Sequence, residues 1–189
     1  ESEQLLVAIG RVPNTDVLDV VKAGVQVNKF GYVVTTDALE TTAKNVWALG
    51  DIAGKYLFKH SANYEAEYVV QGALHGKKLA VDYTAMPHAI FSSPQIAGVG
   101  EKEKDLIARK ADYAVGQYDY IKTGMGAALD DREGFVRVYA DKKTRKILGC
   151  HIIGSDASTL VHEVIIAMKM GLTVDDVLRV IHIHPALPE

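Results

Sequence analysis

The sequence predicts an α+β fold for residues 86–189, and three features of the chain predict it. Strand-like runs follow one another from Ala89 onward with short turns and one brief charged helix between them. The run Phe135-Val136-Arg137-Val138-Tyr139 alternates as a half-buried strand should, and a polar turn at Asp141 to Thr144 leads into Ile147 to Ile153. Those two runs read as a meander-like antiparallel pair. Two further helical patterns, at 156–170 and at Val174 to Val180, come after the strands, and helices gathered on one side of an antiparallel sheet make an α+β domain.

Taken in order, Ala89 to Phe91 and Gln95 to Gly100 are the first two strands, 101–109 a short charged helix, and Tyr113 to Ile121 the third strand. The helix at 156–170 carries Leu160, Val161, Val164, Ile165 and Met168 on one face. Ahead of Met86-Pro87 the texture differs, and the boundary falls at about residue 85. There Leu5-Leu6-Val7-Ala8-Ile9 reads as a buried strand stopped by Gly10 and the Pro13-Asn14 turn. Residues 16–23 form a short helical pattern ended by Gly24. Val25 to Val27 and Tyr32 to Val34 are strand pieces around a turn at Asn28 to Gly31, and Val46 to Leu49 is a further buried strand. The clearest helix of this half runs from Ser61, read as its N-cap, to Leu74, with Gly76 as terminator. Its apolar face would be Ala62, Ala66, Val69, Val70 and Ala73.

Composition narrows the function classes. The chain has 189 residues, 48% hydrophobic and 24% charged, the balance of an ordinary globular protein. Lys and Arg number 21 against 24 Asp and Glu, a net charge of −3, which argues against nucleic acid as a partner. No apolar run reaches the roughly 18 residues of a membrane span. A single cysteine, Cys150, excludes an internal disulfide framework and a cysteine-based zinc site; it points to a reducing, cytoplasmic setting. The chain starts without Met and stops abruptly after a chemically rich segment, so a fragment of a longer protein is expected.

Four places carry chemistry. His184 and Glu189 are five residues apart, with Pro185 and Pro188 restricting the backbone between them. A carboxylate accepting from one imidazole nitrogen fixes the tautomer and leaves the other nitrogen to move a proton. Residue types alone leave an exposed loop histidine beside a glutamate as the plainer reading. Second, Ala48-Leu49-Gly50-Asp51 is a strand end where Gly50 lets a ligand approach the backbone and Asp51 can accept from sugar-type hydroxyls. A turn aspartate bonded to local backbone is the alternative. Third, Ala8 to Asn14 reads by spacing as a simple strand exit. Fourth, His182 and His184 would share a side in an extended segment, but no third ligand lies near and no metal is expected. His60, His75, His88, His151 and His162 show no ligand spacing. Cys150, inside an apolar strand, reads as packing and not as a nucleophile.

In this order, along essentially the whole chain, these segments resemble the C-terminal part of the flavin-dependent pyridine nucleotide–disulfide oxidoreductases. Ala8 to Asn14, with Gly10, is similar to the segment closing the family's NAD(P) domain. Thr41 to Asp51 (TTAKNVWALGD) resembles its FAD-binding segment, in which the Asp holds the flavin ribitol. Tyr56 to His60, including Leu57, Phe58 and Lys59, would set backbone against the flavin ring. Phe91 to Gly100 (FSSPQIAGVG) resembles the entry to the interface domain, and His184 to Glu189 the catalytic His–Glu dyad.

The resemblance implies an α+β interface (dimerisation) domain at 86–189, preceded at 13–85 by the C-terminal segment of an α/β FAD-binding domain. Residues 1–12 would end an NAD(P)-binding domain. It implies FAD and NAD(P) as cofactors, a homodimer paired through 86–189, and a small disulfide or lipoyl-bearing protein as substrate. Electrons would pass between nicotinamide, flavin, an active-site disulfide and the substrate, with His184 and Glu189 serving the opposite subunit. The family's Gly-rich fingerprints and redox Cys pair are missing from this sequence, so the isolated chain is expected to be inactive. Within the family, breadth of resemblance favours the dihydrolipoyl dehydrogenases. Tyr56 to Asn63 and the ending HPALPE favour the mycothione reductases, and glutathione-type reductases fit less well. A free-standing chain would instead be a non-catalytic dimerisation module.

Overall fold

The computed structural model describes residues 2–189, which divide into two compact units, one ending at Asp82 and one beginning at Tyr83.

In the first unit the expected strand at 5–9 does not form. These residues have no regular structure, and Leu5 and Ile9 are 87% and 94% exposed. An apolar run of this kind becomes a strand only where neighbours pair with it and cover both faces, and among the described residues none bridges to it. The short runs that follow are likewise reduced to single bridges, Val27 with Val33, Thr35 with Thr41 and Glu40 with Trp47. Asn28 turns the first of these. Its Oδ1 accepts from the N–H of Phe30 at 2.9 Å and of Tyr32 at 3.2 Å. The helical pattern at 16–23 resolves into helix α1 (Thr15–Leu18) and a 3-10 turn (Val20–Ala23) that ends at Gly24.

Helix α2 (Lys59–His75) starts three residues earlier than expected. Phe58, not Ser61, is its N-cap; the Ser61 hydroxyl lies inside the first turn and donates to the Phe58 carbonyl at 2.8 Å. Its buried face is also rotated from the expected one. Ser61, Glu65 and Gly72 are buried, whereas Val70 and Ala73 are exposed. The reason is one hydrogen bond: the Gly50 N–H donates to Glu65 Oε2 at 2.6 Å and draws a carboxylate inward. Gly76 ends the helix in the left-handed region as expected, its N–H bonded to the Gln71 carbonyl.

The second unit is built on five strands: β1 (Pro87–Ile90), β2 (Gln95–Gly100), β3 (Tyr113–Asp119), β4 (Phe135–Asp141) and β5 (Ile147–Gly154). They form one antiparallel sheet in the order β1-β2-β5-β4-β3. Helices α3 (Glu103–Ala108), α4 (Gly124–Ala128), α5 (Ala157–Lys169) and α6 (Val174–Leu178) complete it. One face of β2 and β5 presents Ala97, Val99, Cys150 and Ile152 to Ala157 and Val161 of α5, and these residues are the core. Leu160, Val164, Ile165 and Met168 pack against it as the helical periodicity predicts. The third strand stops short of Ile121 because Tyr120–Lys122 turns as a 3-10 helix and buries Tyr120. No sequence signal announced α4. Thr123 creates it by accepting from the Gly126 N–H at 3.0 Å while donating to the Tyr120 carbonyl.

Cys150 is fully buried in this core, and burial pushes its thiol up to about 12. The thiolate is the reactive form, so Cys150 in the folded chain should resist iodoacetamide at pH 8 and react after denaturation. Mass-spectrometric labelling checks this, and rapid modification of the native chain would refute the assignment of Cys150 to packing.

Candidate functional site

Two constellations hold the residues singled out in the sequence, one in each unit. In the first, the extended Leu49 delivers Gly50 at φ +72°, where a 3-10 turn (Gly50–Ala53) begins. A Cβ on Gly50 would stand 3.0 Å from that of Ala62, so both the backbone angle and the close approach of α2 call for glycine. The turn presents the half-exposed Asp51 carboxylate, and Arg11 binds it, Nη1 donating to Oδ2 at 2.6 Å. Arg11 Nη2 donates in turn to the Leu57 carbonyl at 2.8 Å. One guanidinium therefore ties the segment at Arg11 to the stretch from Asp51 to Leu57, forty and forty-six residues on, around a cleft of about 380 Å³ walled also by Pro13, Tyr32 and Ile52. Gly10 lies just before Arg11 at φ +117°.

Leu57 leads into the start of α2, which no side chain caps. The helix N-terminus there carries partial positive charge on its first N–H groups. Phe58 and His60 stack at 5.1 Å between ring centroids, and Lys59 Nζ donates to Asn63 Oδ1 at 2.7 Å. An accessible carboxylate with acceptor capacity to spare, a cleft and an uncapped helix start suit a polyhydroxyl ligand with an electron-accepting ring. The residues thus fit the flavin that the family resemblance implies.

In the second unit the chain after α6 has no helix or strand. Thr173 and Asp176 cap α6 reciprocally, and Arg145 fixes it to the β4–β5 turn through two bonds to Asp175 at 2.8 and 3.0 Å. Beyond it, His184 Nδ1 lies 2.8 Å from Glu189 Oε1, and the second carboxylate oxygen accepts from the Ala186 N–H at 2.9 Å. The intervening turn thus folds back on itself. Glu189 is held below the ordinary glutamate range, chiefly by the Ala186 N–H and next by the His184 ring. An ionised Glu189 accepts from Nδ1–H and leaves Nε2 as the acceptor of the neutral ring, on a side chain 72% exposed.

Two partners of this segment were not evident in the sequence. Gly124, at the start of α4, makes room for the His184 ring, since a Cβ there would come within 2.8 Å of Cε1. His182 does not share a site with His184; it pairs with Glu163 of α5, Nε2 to Oε1 at 2.8 Å. No group of three or more His, Cys, Asp or Glu placed to hold a metal occurs among the described residues. No helix among them is long and apolar enough to cross a membrane.

The second unit is thus an antiparallel sheet domain whose last residues close a His–carboxylate turn. The model of the pyridine nucleotide-disulphide oxidoreductase dimerisation domain matches residues 86–189, and that of pyridine nucleotide-disulphide oxidoreductase matches residues 1–66. The chain belongs to the pyridine nucleotide–disulphide oxidoreductase family, whose members depend on FAD. It is 34% identical over its whole length to dihydrolipoyl dehydrogenase 3 of Haloarcula marismortui, spanning 39% of that protein. It is 40% identical to mycothione reductase of Mycobacterium tuberculosis, all of this chain against 42% of the relative. The HOCl-induced flavoprotein disulfide reductase RclA from Escherichia coli superposes with a TM-score of 0.88 at 28% identity, over 96% of this chain and 42% of RclA. The chain therefore spans about two fifths of the relatives it matches.

Because folding lowers the Glu189 pKa, the bonds it makes are present above the ordinary glutamate pKa and are lost as pH falls through the lowered value. The Glu189 side-chain carboxyl resonance followed by NMR should therefore titrate below the ordinary glutamate range. A Glu189 side chain that titrates like a free glutamate would contradict the geometry.

Proposed function

We propose that this chain is the flavin-side and dimerisation part of a dithiol–disulfide oxidoreductase, and that His184 with Glu189 handles the proton of the reacting thiol. The observation that carries this reading is the 2.8 Å bond from His184 Nδ1 to a carboxylate anchored on the Ala186 N–H, with Nε2 left exposed. Disulfide exchange requires a thiolate. His184 Nε2 accepts the thiol proton and releases that thiolate, and Glu189 stabilises the ring cation so formed. When bound, FAD supplies the two-electron link between NAD(P) and the redox disulfide.

In the first unit Asp51 accepts from a ribitol hydroxyl, with Arg11 fixing its orientation. Gly50 admits the ligand to the backbone, and the Leu57-Phe58-Lys59-His60 segment sets main-chain groups against the flavin ring; Gly10 carries the chain out of the nicotinamide-binding domain. Residues 86–189 pair with a second copy, for which the exposed Ile166 on α5, Met170 at its C-cap, and Ile181 and Ile183 beyond α6 supply apolar surface. His184 then serves the partner's redox disulfide. The parent protein acts in the cytoplasm on a dihydrolipoyl group, transferring its electrons to NAD. A mycothione-type disulfide substrate is the second reading, favoured by the 40% identity to a mycothione reductase.

In the full-length, flavin-loaded protein carrying this sequence, His184→Gln should slow the dithiol half-reaction by about 10²–10⁴-fold and leave flavin reduction by nicotinamide intact. Stopped-flow absorbance separates the two steps, and an unchanged dithiol step would sink the assignment. Replacing Glu189 by Gln should slow the same step less, because it acts through the ring. Asp51→Ala should weaken FAD retention on gel filtration; full retention would remove Asp51 from the flavin site.

A further inference from the structure

We propose that His182 and Glu163 form a second, non-catalytic His–Glu pair that positions His184 by fastening the segment after α6 to helix α5. This inference rests on the role given to His184 above and adds residues that the dyad itself does not include.

From Arg179 to Glu189 the chain has no backbone ladder to hold it. Its side chains mostly point away from the domain: Val180, Ile181, Ile183 and His184 are all exposed, Ile181 at 96%. Two residues turn inward. Leu187 packs against the core, and His182, with a side chain only 24% exposed, meets Glu163 at 2.8 Å. They bracket His184 on its two sides in sequence. Glu163 is a firm support, because α5 is fixed by the buried Ala157, Val161 and Ala167. The same cavity, about 250 Å³ and largely apolar, is walled by Glu163, His182, Leu187 and Glu189, so the anchor and the dyad share one surface. His182 also helps to hold the Glu189 carboxylate ionised, which places the two pairs within electrostatic reach.

With both fastenings the turn from Pro185 to Glu189 has one seat. With His182 released, Leu187 and the contact of the His184 ring with Gly124 remain, and the imidazole can shift between them. Misplacement of a proton-transfer group by about 1 Å can slow a reaction by about 10²-fold. Glu163→Ala removes the acceptor from a side chain that is 39% exposed on a helix held elsewhere, so it is the variant to begin with. His182→Ala removes the donor. His182→Gln keeps an N–H near the position of Nε2 and restores the bond without the ring.

The test uses the full-length, flavin-loaded dimer, with folding checked by flavin absorbance and melting temperature. Glu163→Ala and His182→Ala should each slow the dithiol half-reaction by about 10- to 100-fold, with flavin reduction by nicotinamide unchanged. The double variant should be no slower than either single one, and His182→Gln should recover most of the rate. Additive losses, equal slowing of both half-reactions, or no recovery in His182→Gln would overturn the pair as a positioning device. Wild-type rate in Glu163→Ala beside a slowed His184→Gln would overturn it and leave the dyad standing. Wild-type rates in both would overturn the dyad first, and this inference with it.

Discussion

A glutamate carboxylate accepting a backbone N–H holds each of the two constellations in shape. Glu65 receives Gly50 and thereby fixes the turn on which Asp51 stands. Glu189 receives Ala186 and thereby closes the turn on which His184 stands. In both, a glutamate side chain organises a short turn of main chain that is part of no sheet or long helix. The burial of Glu65 rotates α2; the second oxygen of Glu189 orients the imidazole.

The sheet domain shows a different economy. Its core is small, and much of the packing comes from partly buried residues of α5 on Ala97, Val99, Cys150 and Ile152. That leaves Ile166 on α5, Met170 just past it, and Val180, Ile181 and Ile183 after α6 as exposed apolar side chains. Exposure on this scale, beside a matched dimerisation-domain model, is what gives the pairing proposal its physical content. Glu163 stands on that same helix.

How much was legible in the sequence follows from how local each signal is. Gly76 and Gly24 were readable as stops because the left-handed region is a property of one residue. The strand β4 was readable because alternation is a period of two, and β5 because it follows β4 after one short polar turn. Leu5 to Ile9 misled, since apolar residues record a tendency to be covered and not whether a cover is at hand. The rotated face of α2 was hidden because a buried carboxylate makes sense only with the Gly50 N–H, fifteen residues away. The spacing of five marked His184 and Glu189 as a candidate pair, and the resemblance of the whole ending raised it above the plainer loop reading. His182–Glu163 could not, as nothing in either residue announces the other across nineteen positions.

The strand order has a further consequence, for the path by which the domain assembles. Neighbours β3 and β4, β4 and β5, and β1 and β2 are joined by chain of modest length, so each pair can close early. The central contact is different: β2 meets β5 with Gly100 beside Gly149 and Gln95 beside Gly154, across the whole of β3 and β4. Closing a loop of that length is entropically costly before any pairing rewards it, and such non-local steps pace the folding of antiparallel domains. The Ala97, Val99, Cys150 and Ile152 cluster lies on that seam. Its formation is therefore the event that commits a hairpin and a meander to one sheet, and it sets the tempo at which a newly made chain becomes a domain at all.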